Sequence, residues 1–246
     1  MSVKTAEEIR NIRIAAAVGR EALIIAEKLM RPGTRANVID EAVEQHLKER
    51  GATAANREVN GYAHASSISR WNEVAHAPPV ATKILRNGDV VGVDIGVKFE
   101  GVYADVAETF AVGTLHPQVR SMMDACKSAL THGIHALTPN GLLSVYGRTV
   151  AEFAASHGIS IMKGLTGHGT GRAYHEPPHV YNFYHPDNDI ALVPGMVFAF
   201  ELLVSTRDYP LTLARDGTTI LTGDGNPSAH FEHTVLITES GPVILG

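Results

Sequence analysis

The chain has 246 residues, is 44% apolar and carries a formal net charge of −5, enough to bury a full core as one large domain or two fused halves. It contains no basic run, so neither nucleic acid nor a membrane surface is an expected partner. Cys126 is the only cysteine, which excludes intrachain disulfides and thiolate metal sites. The N-terminal stretch S-V-K-T-A-E-E-I-R lacks a signal-peptide core, and no apolar run reaches membrane-spanning length. The expected compartment is therefore the cytoplasm.

Residues 5–30 alternate charge with Ile, Ala and Leu at helical spacing, and Thr5 followed by Glu8 predicts a capping box. R-P-G breaks this helix. A second follows with Val38, Ile39, Val43 and Leu47 on one face, stopping at Gly51. Residues 54–80 are irregular and end in N-E-V-A-H-A-P-P. Residues 90–110 read as a β-hairpin around K-F-E-G, V-V-G-V-D-I-G-V-K-F-E-G-V-Y-A-D-V-A-E-T-F. If the hairpin is symmetric about Phe99 and Glu100, paired residues sum to 199, as Asp94 and Asp105 do. They would then face each other directly with Cβ atoms about 5 Å apart. Two such carboxylates repel, and a divalent cation between them removes the conflict.

Helices are predicted over 118–137, after H-P, and over roughly 142–157, after T-P-N-G and ending at Gly158. Next comes a glycine-rich loop, G-L-T-G-H-G-T-G-R-A-Y-H-E-P-P-H at 164–179, then strand-like runs at 196–204, 211–221 and 231–245. This order hides a repeat. Pro32 and Pro139, Gly51 and Gly158, Gly88 and Gly195, and Asp94 and Glu201 are each 107 residues apart. The expected fold class is therefore α+β, with two pseudo-twofold-related units of two helices and an antiparallel sheet meeting around a central site. The halves would run over approximately 5–112 and 113–246 within one domain spanning 1–246.

Glu201 lies in the apolar strand V-F-A-F-E-L-L-V, and Glu232 in H-F-E-H-T-V-L-I. A carboxylate in such a strand must be paired, protonated or bound to a metal. Nearby strands offer few Lys or Arg residues for a buried salt bridge. His168 sits between glycines, which implies a backbone pressed close to something and an imidazole held in place. Two Asp, two Glu and one His form an oxygen-rich set with room for two divalent ions that share and activate a water. Mn, Fe, Co and Zn all suit such ligands.

These residues resemble the methionine aminopeptidase and prolidase family, the pita-bread metallohydrolases. The resemblance covers nearly the whole chain through D-I-G-x(8)-D, G-H-G-T-G-R-x-Y-H-E-P-P, F-E and F-E-H-T. It implies the pita-bread fold and a dinuclear centre held by Asp94, Asp105, His168, Glu201 and Glu232. Asp105 and Glu232 would bridge the ions. Asp94 would complete one of them, and His168 with Glu201 the other. The resemblance also makes Glu201 the base, His175 the stabiliser of the tetrahedral intermediate and His76 a catalytic contact near the scissile amide nitrogen. Tyr174 would wall the substrate pocket, with Tyr62 and Trp71 as further candidate substrate contacts beside His76 and His175.

The implied activity is removal of an N-terminal residue, methionine first, from peptides or nascent proteins by a monomer or weak homo-oligomer. Length favours the short type I methionine branch, because the prolidases usually carry an extra N-terminal domain. Several residues depart from that branch. The Asn72–His76 stretch is one residue short and lacks a Cys, F-E-L replaces I-E-P, and Thr218 stands where an aromatic is usual. D-I-G-x(4)-G-x-Y-A-D leans toward the proline-specific branch. The rivals are thus an Xaa-Pro-directed or divergent peptidase, and a pita-bread scaffold that binds partners without catalysis.

Overall fold

The computed structural model describes residues 2–59 and 61–246. Among these residues the first half supplies α1 (Ala6–Lys28), α2 (Ala36–Glu49), β1 (Thr53–Ala54), β2 (Ser67–Arg70), β3 (Glu73–Ala75), β4 (Val90–Phe99) and β5 (Val102–Ala111). The second supplies α3 (Pro117–His135), α4 (Ser144–Ser156), β6 (Ser160–Ile161), β7 (Gly167–Gly169) and β8 (Glu176–Val180). It continues with β9 (Val197–Ser205), β10 (Leu211–Leu213), β11 (Ile220–Thr222), β12 (Ser228–Thr238) and β13 (Gly241–Ile244). The Thr5–Glu8 capping box is formed and starts α1. In α2 the buried face is Ala36, Ile39, Asp40, Val43 and Leu47. Val38, expected on that face, points outward at 43% exposure, because the stripe follows Ile39 at steps of four.

One antiparallel sheet organises the molecule, with central order β1-β4-β5-β12-β9-β7-β8. β2 adds to β4, β6 to β9 and β13 to β12. Strand periodicity sorts the side chains. Val91, Val93, Ile95 and Val97 of β4 and Ala104 and Val106 of β5 pack in one core cluster with residues of α1 and α2. Phe198, Phe200, Leu202 and Val204 of β9 and Phe231 and Val235 of β12 share another with residues of α3 and α4. The alternate residues face the opposite side, and there the carboxylates lie.

Elements 107 positions apart take like places. Thr53 of β1 pairs with Lys98 of β4, and Ser160 of β6 pairs with Ser205 of β9. The connections differ. Between β4 and β5, Phe99 pairs with Val102, and the two turn residues Glu100 and Gly101 both have positive φ, 47° and 76°. That is the backbone pattern of a tight primed hairpin turn. Between β9 and β12 the chain makes a long excursion, residues 206–227. The strand expected over 211–221 is there broken into the β10–β11 hairpin, which pairs with β3 in a separate three-stranded sheet. The run expected over 231–245 is likewise split, because a turn at Glu239 and Ser240 folds β12 back onto β13, with Thr238 paired to Gly241.

Candidate metal centre

The tight turn sets the β4–β5 register. Asp94 pairs with Ala107, and Asp105 with Gly96. Asp94 and Asp105 are therefore diagonal neighbours on one face rather than directly opposed. The symmetry centre lies one residue later than the sequence suggested, because Glu100 and Gly101, not Phe99 and Glu100, form the turn. Register continues across the sheet. Ala107 pairs with Glu232, and Glu232 with Glu201, so Asp94, Ala107, Glu232 and Glu201 make a row across four strands. Asp105 lies two residues from that row. His168 approaches from β7, paired with Ala199, two residues from Glu201.

The row is costly without a counter-charge. Asp105 is 3% exposed and Glu232 2% exposed. Burial pushes the Asp94 and Glu232 carboxyls well above the usual carboxylate range, and neighbouring carboxylates push them further. Asp94 Oδ1 and Glu232 Oε1 are buried without a hydrogen-bond partner. Buried carboxylates left like this destabilise a fold, and a cation relieves both faults at once. Donor atoms from three residue sets lie within 4.8 Å of one another: Asp94, Asp105 and Glu232; His168, Glu201 and Glu232; Asp105, His168 and His175. This donor set fits divalent metal ions.

His168 is oriented for the same purpose. Its Nδ1 lies 2.9 Å from the Gly169 carbonyl, an N–H donor position that leaves Nε2 free to face Asp105 at 3.6 Å. Burial lowers its pKa, but the hydrogen bond and charge of Asp105, with Glu201, outweigh that and raise it. The flanking glycine has a steric reason. A Cβ on Gly167 would lie 2.4 Å from the Ala199 carbonyl oxygen of β9.

The D-I-G glycine has one too. Tyr174 reaches across β4 and donates to Asp105 Oδ1 at 3.4 Å. A Cβ on Gly96 would lie 2.3 Å from its hydroxyl oxygen, so only glycine admits the phenol. His175, the next residue, stacks edge-on against His168 with ring centroids 4.4 Å apart. Burial, with the charge of His168, lowers the His175 pKa. His76 takes a left-handed backbone, φ 56°, and burial likewise lowers its pKa against the pull of Glu201. Both rings border a cavity of about 800 Å³ whose floor is the carboxylate row, and Tyr62, Tyr174 and Thr218 line it as well. Trp71, expected to contact substrate, is not among the lining residues. It occupies a turn between β2 and β3, donates its indole N–H to Gly225 at 3.1 Å and packs on the core.

Two features were not foreseen. His230 lies on the row face, its Nε2 3.4 Å from Glu201 and 3.6 Å from Glu232. Period-two alternation in H-F-E-H was the available signal. The second is a clamp on the His175 loop. Glu176 accepts from the backbone of Arg172 and Ala173 and from buried Lys4 at 2.6 Å. Arg172 in turn grips Glu8 with two nitrogens, and this holds the Glu8 carboxyl down at about 2.

The model of metallopeptidase family M24 matches residues 10–239. The chain belongs to metallopeptidase family M24. It is similar to a methionine aminopeptidase of Clostridium perfringens, 32% identical over 99% of this chain and 97% of that one. The crystal structure of the Thermotoga maritima methionine aminopeptidase superposes with a TM-score of 0.97 at 33% identity, covering 100% and 98% of the two chains. Prolidase from Pyrococcus furiosus matches with a TM-score of 0.77 at 22% identity, over 99% of this chain and 64% of that one. That last likeness concerns the fold alone. The α+β pita-bread architecture is the one expected. As an M24 member the chain is a metallopeptidase that uses divalent metal. Among the described residues no helix is long and apolar enough to cross a membrane.

Proposed function

We propose that the chain is a dinuclear metal-dependent aminopeptidase that removes N-terminal methionine from peptides or nascent proteins. The observation that carries this is the row of Asp94, Glu232 and Glu201 with Asp105 and His168 beside it, all lining one cavity. Full-length similarity to methionine aminopeptidases supports the methionine preference. Asp94, Asp105, His168, Glu201 and Glu232 would hold two ions, Mn, Fe, Co or Zn. Bound there, the ions supply Lewis acidity, polarising the scissile carbonyl and acidifying water.

The remaining work falls to side chains. Glu201, at the edge of the row, accepts the proton of the attacking water and passes it to the departing amine as the C–N bond breaks. With their lowered pKa values, His76 and His175 are neutral rings at pH 7, each with one N–H to donate. His175 directs its donor at the developing oxyanion, and His76 contacts the scissile amide. Tyr62 and Tyr174 wall the side-chain pocket, where burying a methionine side chain contributes about 2 kcal/mol. The carboxylate floor suits a free α-amino group, which enforces exopeptidase action. A cytoplasmic monomer or weak homo-oligomer fits this role, with peptide N-termini rather than nucleic acid as partners. Like positions of β1 on β4 and β6 on β9 support two half-repeats, about 5–112 and 113–246, within one domain.

The test is hydrolysis of Met-Ala-Ser, Leu-Ala-Ser and Ala-Pro with Mn, Co, Fe or Zn added in turn. Cleavage of Met-Ala-Ser alone is the expected result. Cleavage of Ala-Pro instead moves the chain to the Xaa-Pro branch, and silence on every peptide overturns the reading.

A further inference from the structure

His175 sits on a loop, between β7 and β8, rather than on a paired strand. Its ring is exposed and rests edge-on against His168 and tilted against Tyr174, with centroids 4.4 and 4.3 Å apart. An exposed ring takes its direction from its backbone. The anchoring of residues 170–176 therefore decides where the His175 donor points.

One carboxylate ties that loop together. Glu176, the next residue, turns back so that Oε1 accepts from the Arg172 and Ala173 N–H groups at 2.5 and 3.1 Å. Its Oε2 accepts from Lys4 Nζ at 2.6 Å and from Ser2 Oγ at 3.4 Å. The Lys4 side chain is 1% exposed and that of Glu176 14%. Burial raises the Glu176 carboxyl, but hydrogen bonds from Lys4 and the two loop amides outweigh it, and the group stays ionised. Lys4 is held from its own side as well. Its backbone N–H donates to the Gly195 carbonyl at 2.9 Å, two residues before β9, and its ammonium donates to Ser2 Oγ at 2.9 Å. The lysine stem crosses Gly171, where a Cβ would lie 2.4 Å from Lys4 Cε. Lys4 thus joins the entry of β9, the strand of Glu201, to the loop of His175. A buried pair of this kind adds little net stability, because desolvation offsets its attraction. What it fixes is the fold of the loop.

We propose that Lys4 is a positioning residue for the reaction, acting through Glu176 to hold the His175 donor where oxyanion charge develops. This rests on the aminopeptidase reading and deepens it. Lys4 does not line the cavity, so its loss leaves the candidate ligands and the pocket walls in place. The loop alone changes, and with it kcat rather than KM.

The experiment uses the full chain loaded with Co²⁺, as native protein, Lys4→Met, His175→Ala and the variant with both changes. Met-Ala-Ser kinetics, bound Co²⁺ and amide exchange are measured on each. Lys4→Met should lower kcat roughly tenfold, with KM and bound Co²⁺ unchanged and faster exchange at Arg172 and Ala173. In the His175→Ala background the same change should alter kcat by less than about twofold, because the group it positions is gone. A purely structural role lowers kcat by the same factor in both backgrounds. That result overturns the proposal, as do native kcat in Lys4→Met or unchanged exchange in the loop. If Lys4→Met fails to fold, Lys4→Met combined with Glu176→Gln leaves no buried charge alone and decides by the same comparison. Native protein that binds Co²⁺ and cleaves no peptide overturns the aminopeptidase reading, and this proposal with it.

Discussion

The two halves of the sheet are built alike and joined differently. β4 and β5 meet at Glu100 and Gly101, whereas β9 and β12 are separated by residues 206–227, which fold out as the β10–β11 hairpin and return. The candidate ligands Asp94, Asp105, Glu201 and Glu232 lie on the strands that correspond between halves. The cavity walls Leu213, Thr218 and Ile220 come from the excursion, and Tyr62 and His76 from the irregular segment before β4. The difference teaches a division of labour. Paired strands fix carboxylates within a few ångströms because register leaves no freedom, and unmatched loops shape what may enter.

Breaking the shared part should cost most. Glu232→Ala removes the middle carboxylate of the row. It should lower turnover of Met-Ala-Ser by roughly 10³-fold or more, since metal polarisation contributes several kcal/mol. Metal analysis of the same sample should show ions lost. His175→Ala breaks the loop side of the comparison and should lower kcat by about 10²–10³-fold, with metal content held. Thr218→Phe sharpens it further. An aromatic added to the excursion wall should lower KM for methionine peptides by several-fold, from about 1 kcal/mol of extra burial, with kcat little changed. Steady-state kinetics distinguishes these two variants by which constant moves.

The smallest effect concerns the clamp beneath the His175 loop. Glu8, paired with Arg172, titrates at about 2 in the folded chain against 4.5 ordinarily. A depressed carboxylate stabilises the fold fully above its unfolded pKa. That contribution fades as pH falls from about 4.5 toward 2, and exposure keeps it modest. Thermal melts across that window should show the native protein losing slightly more stability than Glu8→Gln. Equal slopes would remove Glu8 from the account.

Much of this was legible in the sequence, for identifiable reasons. Capping at Thr5, the stops at Gly51 and Gly158, and the spacing between Asp94 and Glu201 are local or periodic signals. So was the face carrying Glu201 and Glu232, since a carboxylate inside an apolar strand has few options. The hairpin register was misread by one turn position, because K-F-E-G permits two centres and only the positive φ values of Glu100 and Gly101 choose between them. Trp71 lies outside the cavity lining and packs on a core cluster, because an aromatic beside a motif packs on a core as readily as it lines a pocket. The Lys4–Glu176 contact joins residues 172 positions apart, which no periodicity encodes. The role of Gly96 depends on Tyr174, distant in sequence and adjacent in space.

The most direct test of the division of labour compares Asp105→Ala with His76→Ala, measuring bound divalent metal and Met-Ala-Ser turnover on the same samples. Asp105 lies on a paired strand with its backbone clamped by Thr234, and His76 in the loop after β3 with φ 56°. The account predicts that Asp105→Ala loses metal and activity together, while His76→Ala keeps its metal and loses turnover by about 10²-fold. Equal metal loss in both variants, or turnover in Asp105→Ala close to native, would contradict it.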